Sequence, residues 1–396
     1  MDFRATREKF DLPDGVIYLD GNSLGPLPRE ARARLHREID VAWGHDLIRA
    51  WNSAGWMDLP TKVGDRIALL IGAPPGSVMA GDSTSINLFK ALTAALALAG
   101  ERKVVLSDSG NFPTDLYVAD GVAKLLGRGH VLKVVAPEAV AEAIDESVAV
   151  LMLTQVDFAT GRLHDMAALT GRARAAGVVT VWDLAHSAGA LPVDLAGAQA
   201  DFAVGCGYKY LNGGPGAPAF IFVRPALQAL VQPALAGWMG HAAPFLFDRD
   251  YRPGPGIERM RVGTPPILSL AALDAALDVW DGVDMHAVRA QSIRLSERFI
   301  AEVETRCPQL ILASPRDPEN RGSQVSFRSP DGYAIMQALI ADGVIGDFRA
   351  PDIMRFGFAP LYISEEDIGE AARRLERTLR DATWDRPQFH ARLRVT

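Results

Sequence analysis

The sequence predicts an α/β three-layer sandwich, a mostly parallel sheet between helices, with a smaller α+β domain C-terminal to it. Three observations carry this. Between residues 78 and 223, short β-branched runs alternate with helical segments, and several runs are apolar throughout; continuous apolar strands belong to sheets buried on both faces. After Pro265-Pro266 the texture changes to two long helices, then strands and helices in the order of a compact α+β unit. At 396 residues the chain is too long for one simple core.

Taken in order, residues 1–28 read as irregular, because Asn22-Ser23-Leu24-Gly25-Pro26 and Pro28 are strong turn punctuation. A helix is expected from Arg29 to Trp43, then a Trp-rich stretch ending near Asp58. Pro60 to Ile71 has helical spacing and stops before Gly72-Ala73-Pro74-Pro75. Strand-like runs follow at Val104–Leu106, His130–Val135, Val148–Leu153, Val178–Trp182, Phe202–Val204 and Ala219–Val223. Helix-like segments lie near Asn87–Leu98, Asp115–Leu126, Pro137–Ile144 and His164–Ala176. One long helix starts near Ile267 and a second runs from Met285 to Thr305. Strands are expected at Leu310–Ala313 and Ser323–Phe327, a helix from Asp331, and strands at Val344–Phe348 and Ile353–Phe358. Ser364 followed by Glu365-Glu366-Asp367 is a good N-cap with acidic first-turn residues, so a last helix runs to Arg380.

Composition narrows the function class. The chain is 48% hydrophobic and 22% charged, ordinary for a soluble globular protein, and its net charge of −7 argues against nucleic acid. Two cysteines, Cys206 and Cys307, cannot build a disulfide framework and suggest a reducing compartment. The first residues lack the apolar core of a secretory signal. No apolar run approaches the roughly 20 residues that cross a bilayer. The longest candidate, Leu88 to Ala99, is interrupted by Lys90 and Thr93. A cytoplasmic protein with no membrane partner and no metal is expected.

The chemistry centres on Lys209, in Gly207-Tyr208-Lys209-Tyr210-Leu211-Asn212, in a stretch with no other charge between Asp201 and Arg224. Asp183-Leu184-Ala185-His186 closes the apolar strand Val178–Trp182, so Asp183 emerges at its carboxyl end, where ligands bind in open α/β sheets. A lysine amine for a Schiff base and a carboxylate to keep a pyridinium nitrogen protonated are the two groups that pyridoxal phosphate requires. Its phosphate wants a helix N-terminus bearing hydroxyls, and Asp82-Ser83-Thr84-Ser85 is one. A simple N-cap is the plainer account of that run. Phe112, in Phe112-Pro113-Thr114-Asp115, follows a strand at the same rim and can lie on the ring. His186 can cover the other face. An amino-acid substrate brings a carboxylate, and Arg355, between apolar neighbours on an expected strand, is the candidate clamp.

With these residues placed, the chain resembles the kynureninase family, of the aspartate-aminotransferase-like (fold type I) pyridoxal phosphate superfamily, over nearly its whole length. The resemblance rests on Leu19 to Gly25, Trp43-Gly44-His45, Phe112 to Asp115, Asp183 to His186, Tyr208 to Gly213, Gly237-Trp238-Met239-Gly240-His241, Gly263-Thr264-Pro265-Pro266, and Arg355 with Pro360-Leu361-Tyr362. It implies that Lys209 carries the Schiff base and Asp183 pairs with the ring nitrogen. Phe112, Pro113, Thr114 and Asp115 would line the ring, Thr84 and Ser85 bind the phosphate, and His186 and Tyr208 complete the shell. Tyr208 would relay a proton. Trp238 and Thr264 would reach in from the partner of a homodimer with shared active sites. Arg355 would hold the substrate carboxylate, with His45 and Trp238 near its aryl end. The implied reaction is hydrolysis of L-kynurenine to anthranilate and L-alanine, in tryptophan breakdown.

Thr264 stands where the family's eukaryotic members carry Asn, so their hydroxylated-substrate preference is not carried over, and Met239, in place of a frequent aromatic, retunes the aryl pocket. L-kynurenine is therefore expected ahead of its 3-hydroxy derivative, which stays open as a second substrate. The implied organisation is an N-terminal segment 1–58 joining the small domain and active-site entrance, a cofactor domain 59–280, and a small domain 281–396. A cysteine desulfurase or selenocysteine lyase, which needs a mobile reactive cysteine, and an aminotransferase are the alternatives.

Overall fold

The computed structural model describes residues 2–393. Its centre is a seven-stranded sheet built from β1 (Val78–Ala80), β2 (Val104–Asp108), β3 (Val131–Val135), β4 (Val148–Thr154), β5 (Val179–Asp183), β6 (Phe202–Gly205) and β7 (Phe220–Val223). The strands lie side by side in the order β1-β7-β6-β5-β4-β2-β3. β2 to β6 run parallel, while β7 is antiparallel to both β6 and β1. The mostly parallel expectation holds, with β7 the exception.

Alternate residues of one strand enter different cores. Val150 and Met152 of β4 pack with Leu88, Leu92 and Ala95 of α1 (Thr84–Leu98) on one face. Leu151 and Leu153 face the other core, with Trp182, Leu169 and Leu273. All seven residues of β4 are buried, which is why its sequence shows no polar alternation. β1 was not expected as a strand: three residues before Gly81 are too short a run to register.

The second sheet has four antiparallel strands, β8 (Ile311–Leu312), β9 (Gln324–Arg328), β10 (Asp347–Arg349) and β11 (Ile353–Gly357), in the order β8-β9-β11-β10. The expected single strand Val344–Phe348 is divided. Val344–Ile345 pairs in parallel with Ile17–Tyr18, and only Asp347–Arg349 joins the sheet. Gly346 makes the break, since a Cβ there would stand 2.7 Å from the Arg355 carbonyl. The expected helix Arg29–Trp43 is α-helical only to Arg37 and continues as a π-helix over Glu38–Trp43. The widened turn begins at buried Glu38, which accepts from Arg34 and from the Trp56 indole N–H (2.7 and 3.0 Å). The helix Glu365–Arg380 opens on a full capping box, Ser364 with Asp367, and is not the last as expected, because Pro387 starts a further short helix, Pro387–His390.

Candidate active site

Parallel strands put their carboxyl ends along one rim. Thr154 and Asp183 are register neighbours across β4 and β5, and the loop leaving β6 carries Lys209. Two helices begin at this rim. α1 starts after Asp82, whose backbone is left-handed (φ +54°), with Ser83 as its cap, accepting from the Ile86 N–H at 3.4 Å. The cap uses up Ser83, so of the three consecutive hydroxyls only Thr84 and Ser85 line the cavity. α2 (Pro113–Leu126) starts with Pro113 at the first helical position, where its missing N–H costs nothing. Phe112, Thr114 and Asp115 line the cavity, and Pro113 shapes the turn behind them. Two helix N-termini aimed at one space form an anion cradle.

The far wall is a buried carboxyl pair. The Asp115 and Asp183 side chains are in hydrogen-bond contact. Burial and then the Asp183 charge hold the Asp115 carboxyl well above the usual carboxylate range, so Asp115 keeps the proton and donates to Asp183. Asp183 also accepts from the Ala185 N–H at 2.6 Å. Burial raises Asp183 too, and the Lys209 charge opposes that. A buried carboxylate is stable only beside a cation or strong donors.

Lys209 Nζ lies 2.9 Å from His186 Nε2. Burial first, then the charges of Lys209, Arg355 and Arg349, push His186 well below its ordinary range, so the ring is neutral. With Lys209 Nζ donating to Nε2, the proton of the neutral ring is assigned to Nδ1, which is buried. Tyr208 lines the same cavity, its phenol pushed up by burial. The loop is braced from the N-terminal segment: Gly25 N–H donates to the Tyr208 carbonyl at 2.8 Å. Any Cβ at Gly25 would stand 2.4 Å from the Lys209 carbonyl.

Arg355 is 1% exposed on β11, opposite Asp347 of β10. Its Nε donates to Asp347 at 2.6 Å and one Nη donates to the other carboxylate oxygen, a bidentate pair. That same Nη also donates to Ser23 Oγ at 3.1 Å, and the other Nη donates to the Phe158 carbonyl. Arg349 bonds the same Asp347 at 2.7 Å. The clamp arginine therefore faces a protein carboxylate here, with a second, half-buried arginine sharing it. The Phe158 ring meets Phe112 edge-on at 5.2 Å and steadies it.

Arg355 and Pro113 do not line this cavity, and three further expected site residues lie outside it within the chain. His45 is exposed and bonds Asp46 at 2.9 Å. Trp238 packs on Phe245 and Phe247 (5.8 and 6.3 Å). Thr264 lines a separate cleft with Gly81, Asp82 and Arg261. Thr154 and Ala185 line the cavity and were missed. The signal for Thr154 was its place at the carboxyl end of an apolar strand, the criterion that found Asp183.

A lysine, a buried carboxylate, a neutral histidine and a two-helix anion cradle around one cavity fit pyridoxal phosphate. The cysteines do not suit a desulfurase: both are buried, and burial raises each thiol, Cys307 to about 11.

Residues 288–375 match the family model described as the kynureninase C-terminal domain. A kynureninase from Pseudomonas fluorescens is 51% identical over 98% of this chain and 95% of its own length. One from Burkholderia pseudomallei (strain 1106a) is 50% identical over the same shares. Among solved structures, a cysteine desulfurase from Thermococcus onnurineus superposes with a TM-score of 0.80 at 20% identity, covering 95% of this chain and 98% of that one. At that identity the likeness speaks for the fold alone. The fold is thus that of the desulfurases, while sequence kinship points elsewhere.

Proposed function

This chain belongs to the kynureninase family, and from that premise we infer that it is a pyridoxal phosphate-dependent hydrolase cleaving the Cβ–Cγ bond of L-kynurenine to anthranilate and L-alanine. The observation that carries the reading is the convergence of Lys209, the Asp115–Asp183 pair and two helix N-termini on one cavity.

When bound, pyridoxal phosphate supplies the electron sink for carbanion chemistry beside the substrate amine. Thr84, Ser85 and the N–H groups of their helix turn would hold its phosphate, and Asp183, held by the Asp115 proton and the Ala185 N–H, would pair with its ring nitrogen. Phe112 and His186, which line the cavity, would hold the ring, and Pro113 and Thr114 would stand beside it. Lys209 Nζ is the base for the substrate α-proton, and neutral His186 accepts its hydrogen bond and keeps it aimed. Tyr208 moves a proton between the cavity and the phosphate end. Arg355 takes the substrate carboxylate when Asp347 transfers to Arg349, which already bonds it.

The same reading makes the enzyme a homodimer in the cytoplasm, with Trp238 and Thr264 of one protomer in its partner's cavity and His45 near the aryl end of the substrate. What supports the dimer is exposed apolar surface. Trp43, Leu47 and Ile48 are 56–77% exposed, and Phe245, Leu246 and Phe247 are 61–74% exposed. Among the described residues no helix is long and apolar enough to cross a membrane. The proposed division remains 1–58, 59–280 and 281–396, supported by Ile17–Tyr18 pairing with Val344–Ile345.

The test is purified protein with added cofactor and L-kynurenine, following anthranilate fluorescence and alanine. Equimolar products are expected. A spectral change without anthranilate would point to an aminotransferase.

A further inference from the structure

We propose that Lys90 is a positioning residue for the phosphate cradle, acting through Asp82, and that it ties the cradle to the segment leading to Thr264. The proposal rests on the phosphate reading of Thr84 and Ser85 above.

Lys90 is 0% exposed, on a helix face it shares with buried Asn87, Thr93 and Ala94. Leaving water costs an ammonium several kcal/mol unless it is paired, and a leucine or methionine would pack there without that cost. The ammonium is held by two acceptors, Asp82 Oδ2 and the Met260 carbonyl, both at 2.7 Å. Burial pulls Lys90 below its ordinary range, and Asp82 opposes that.

Asp82 is no ordinary partner. It is the residue before the cap, in left-handed backbone at φ +54°, a conformation that costs most side chains about 1 kcal/mol. Neighbouring bonds fix the turn: the Ala219 N–H donates to the Asp82 carbonyl at 3.0 Å and Asn87 Nδ2 to the Gly81 carbonyl at 2.9 Å. The turn therefore sets where the N–H groups of Thr84 and Ser85 point. It also leaves a carboxylate two residues before Thr84 in the chain, on the adjoining cleft rather than in the cavity itself. Unpaired, that charge would repel the ligand; Lys90 cancels it and holds it back along the helix.

The second acceptor extends the effect. Residues 261–265 lie against the turn, lining one cleft with Gly81 and Asp82. Through the Met260 carbonyl the same ammonium fixes the start of that segment, at whose end Thr264 stands. One buried charge thus locates the cradle of one site and the strand of chain proposed to serve the other.

The test uses full-length protein freed of cofactor and titrated separately with pyridoxal phosphate and with pyridoxal, which lacks the phosphate, following visible absorbance. Lys90→Met should weaken pyridoxal phosphate about tenfold and leave pyridoxal unchanged. Asp82→Asn, which removes the repelling charge and keeps the ammonium, should tighten pyridoxal phosphate alone, by about threefold. Opposite signs from two partners of one ion pair are what a merely structural role would not produce. Equal losses of both ligands in Lys90→Met, or no loss, overturn the proposal. If Lys90→Met does not fold, Asp82→Asn decides: unchanged or weaker pyridoxal phosphate binding overturns it. Thr84→Val separates the two readings. If it affects neither ligand, the cradle itself is misassigned and the proposal falls with it. If it weakens pyridoxal phosphate and Lys90→Met does not, the cradle stands and only the role of Lys90 falls.

Discussion

Asp115 and Asp183 share one proton in a wall closed to solvent, and what Asp115 contributes is a donor rather than a charge. An amide in its place can still donate to Asp183. Asp115→Asn should therefore keep kcat within about tenfold of the parent, while Asp115→Leu, which leaves Asp183 without that partner, should lose about a hundredfold or more. Steady-state kinetics on saturating cofactor separates the two; equal losses would mean that the Asp115 charge itself matters. Asp20 offers a test by stability instead. Burial, then the Asp347 charge, raises its carboxyl to about 7. The folded state therefore holds a proton that the unfolded chain releases near pH 4. Stability contributed by that proton is fully present below about pH 4 and is lost as pH rises toward about 7. Urea midpoints should show Asp20→Asn gaining on the parent across that window and keeping a constant lead above it. A lead that is the same at pH 4 and pH 8 would contradict the assignment.

Among the elements, the helix Glu365–Arg380 gives a clean measurement. Ser364 and Asp367 cap each other's backbone at 3.2 and 2.8 Å, far from the cavity. Ser364→Ala should lower stability by about 1 kcal/mol with the denaturant slope and kcat unchanged. This cap was legible because Ser-Glu-Glu-Asp before an apolar periodic run is a local signal, read without any tertiary partner. β4 and β5 were legible for a related reason: burial on both faces leaves the sequence no polar alternation, so the run stands out. The features that escaped depend on partners remote in sequence. β1 is a strand because β7 lies beside it. The break at Gly346 exists because the Arg355 backbone approaches there. The partner of Arg355 was invisible for the same cause: Asp347 meets it only through the register of β10 against β11. Lys209 and Asp183 could be placed because Asp183 ends an apolar strand and Lys209 follows one, whereas Thr154, with no charge to mark it, passed as part of its strand.

On the scale of the whole molecule, one chain does not bring every proposed site residue together. Lys209, Asp183 and the cradle face one cavity, but Trp238 and Thr264 lie elsewhere, Trp238 among exposed Phe245 and Phe247. A two-fold dimer meets both conditions, since the same patch serves both protomers and each site then draws on two chains. The arrangement predicts complementation. Lys209→Ala should be inactive because its own lysine is gone, and Trp238→Ala should be strongly impaired because it damages its partner's site. In a heterodimer of the two, one site combines both lesions and the other has neither. Random reassembly of equal amounts makes half the dimers hybrid, each with one sound site of two, so activity should return to about a quarter of the parent. The measurement is to unfold and refold the two variants together and assay anthranilate release against each refolded alone. Recovery near a quarter requires Trp238 to act across the interface. Activity no higher than the mean of the separate variants would place Trp238 and Lys209 in the same chain's site, and the exposed aromatic cluster would then need another occupant.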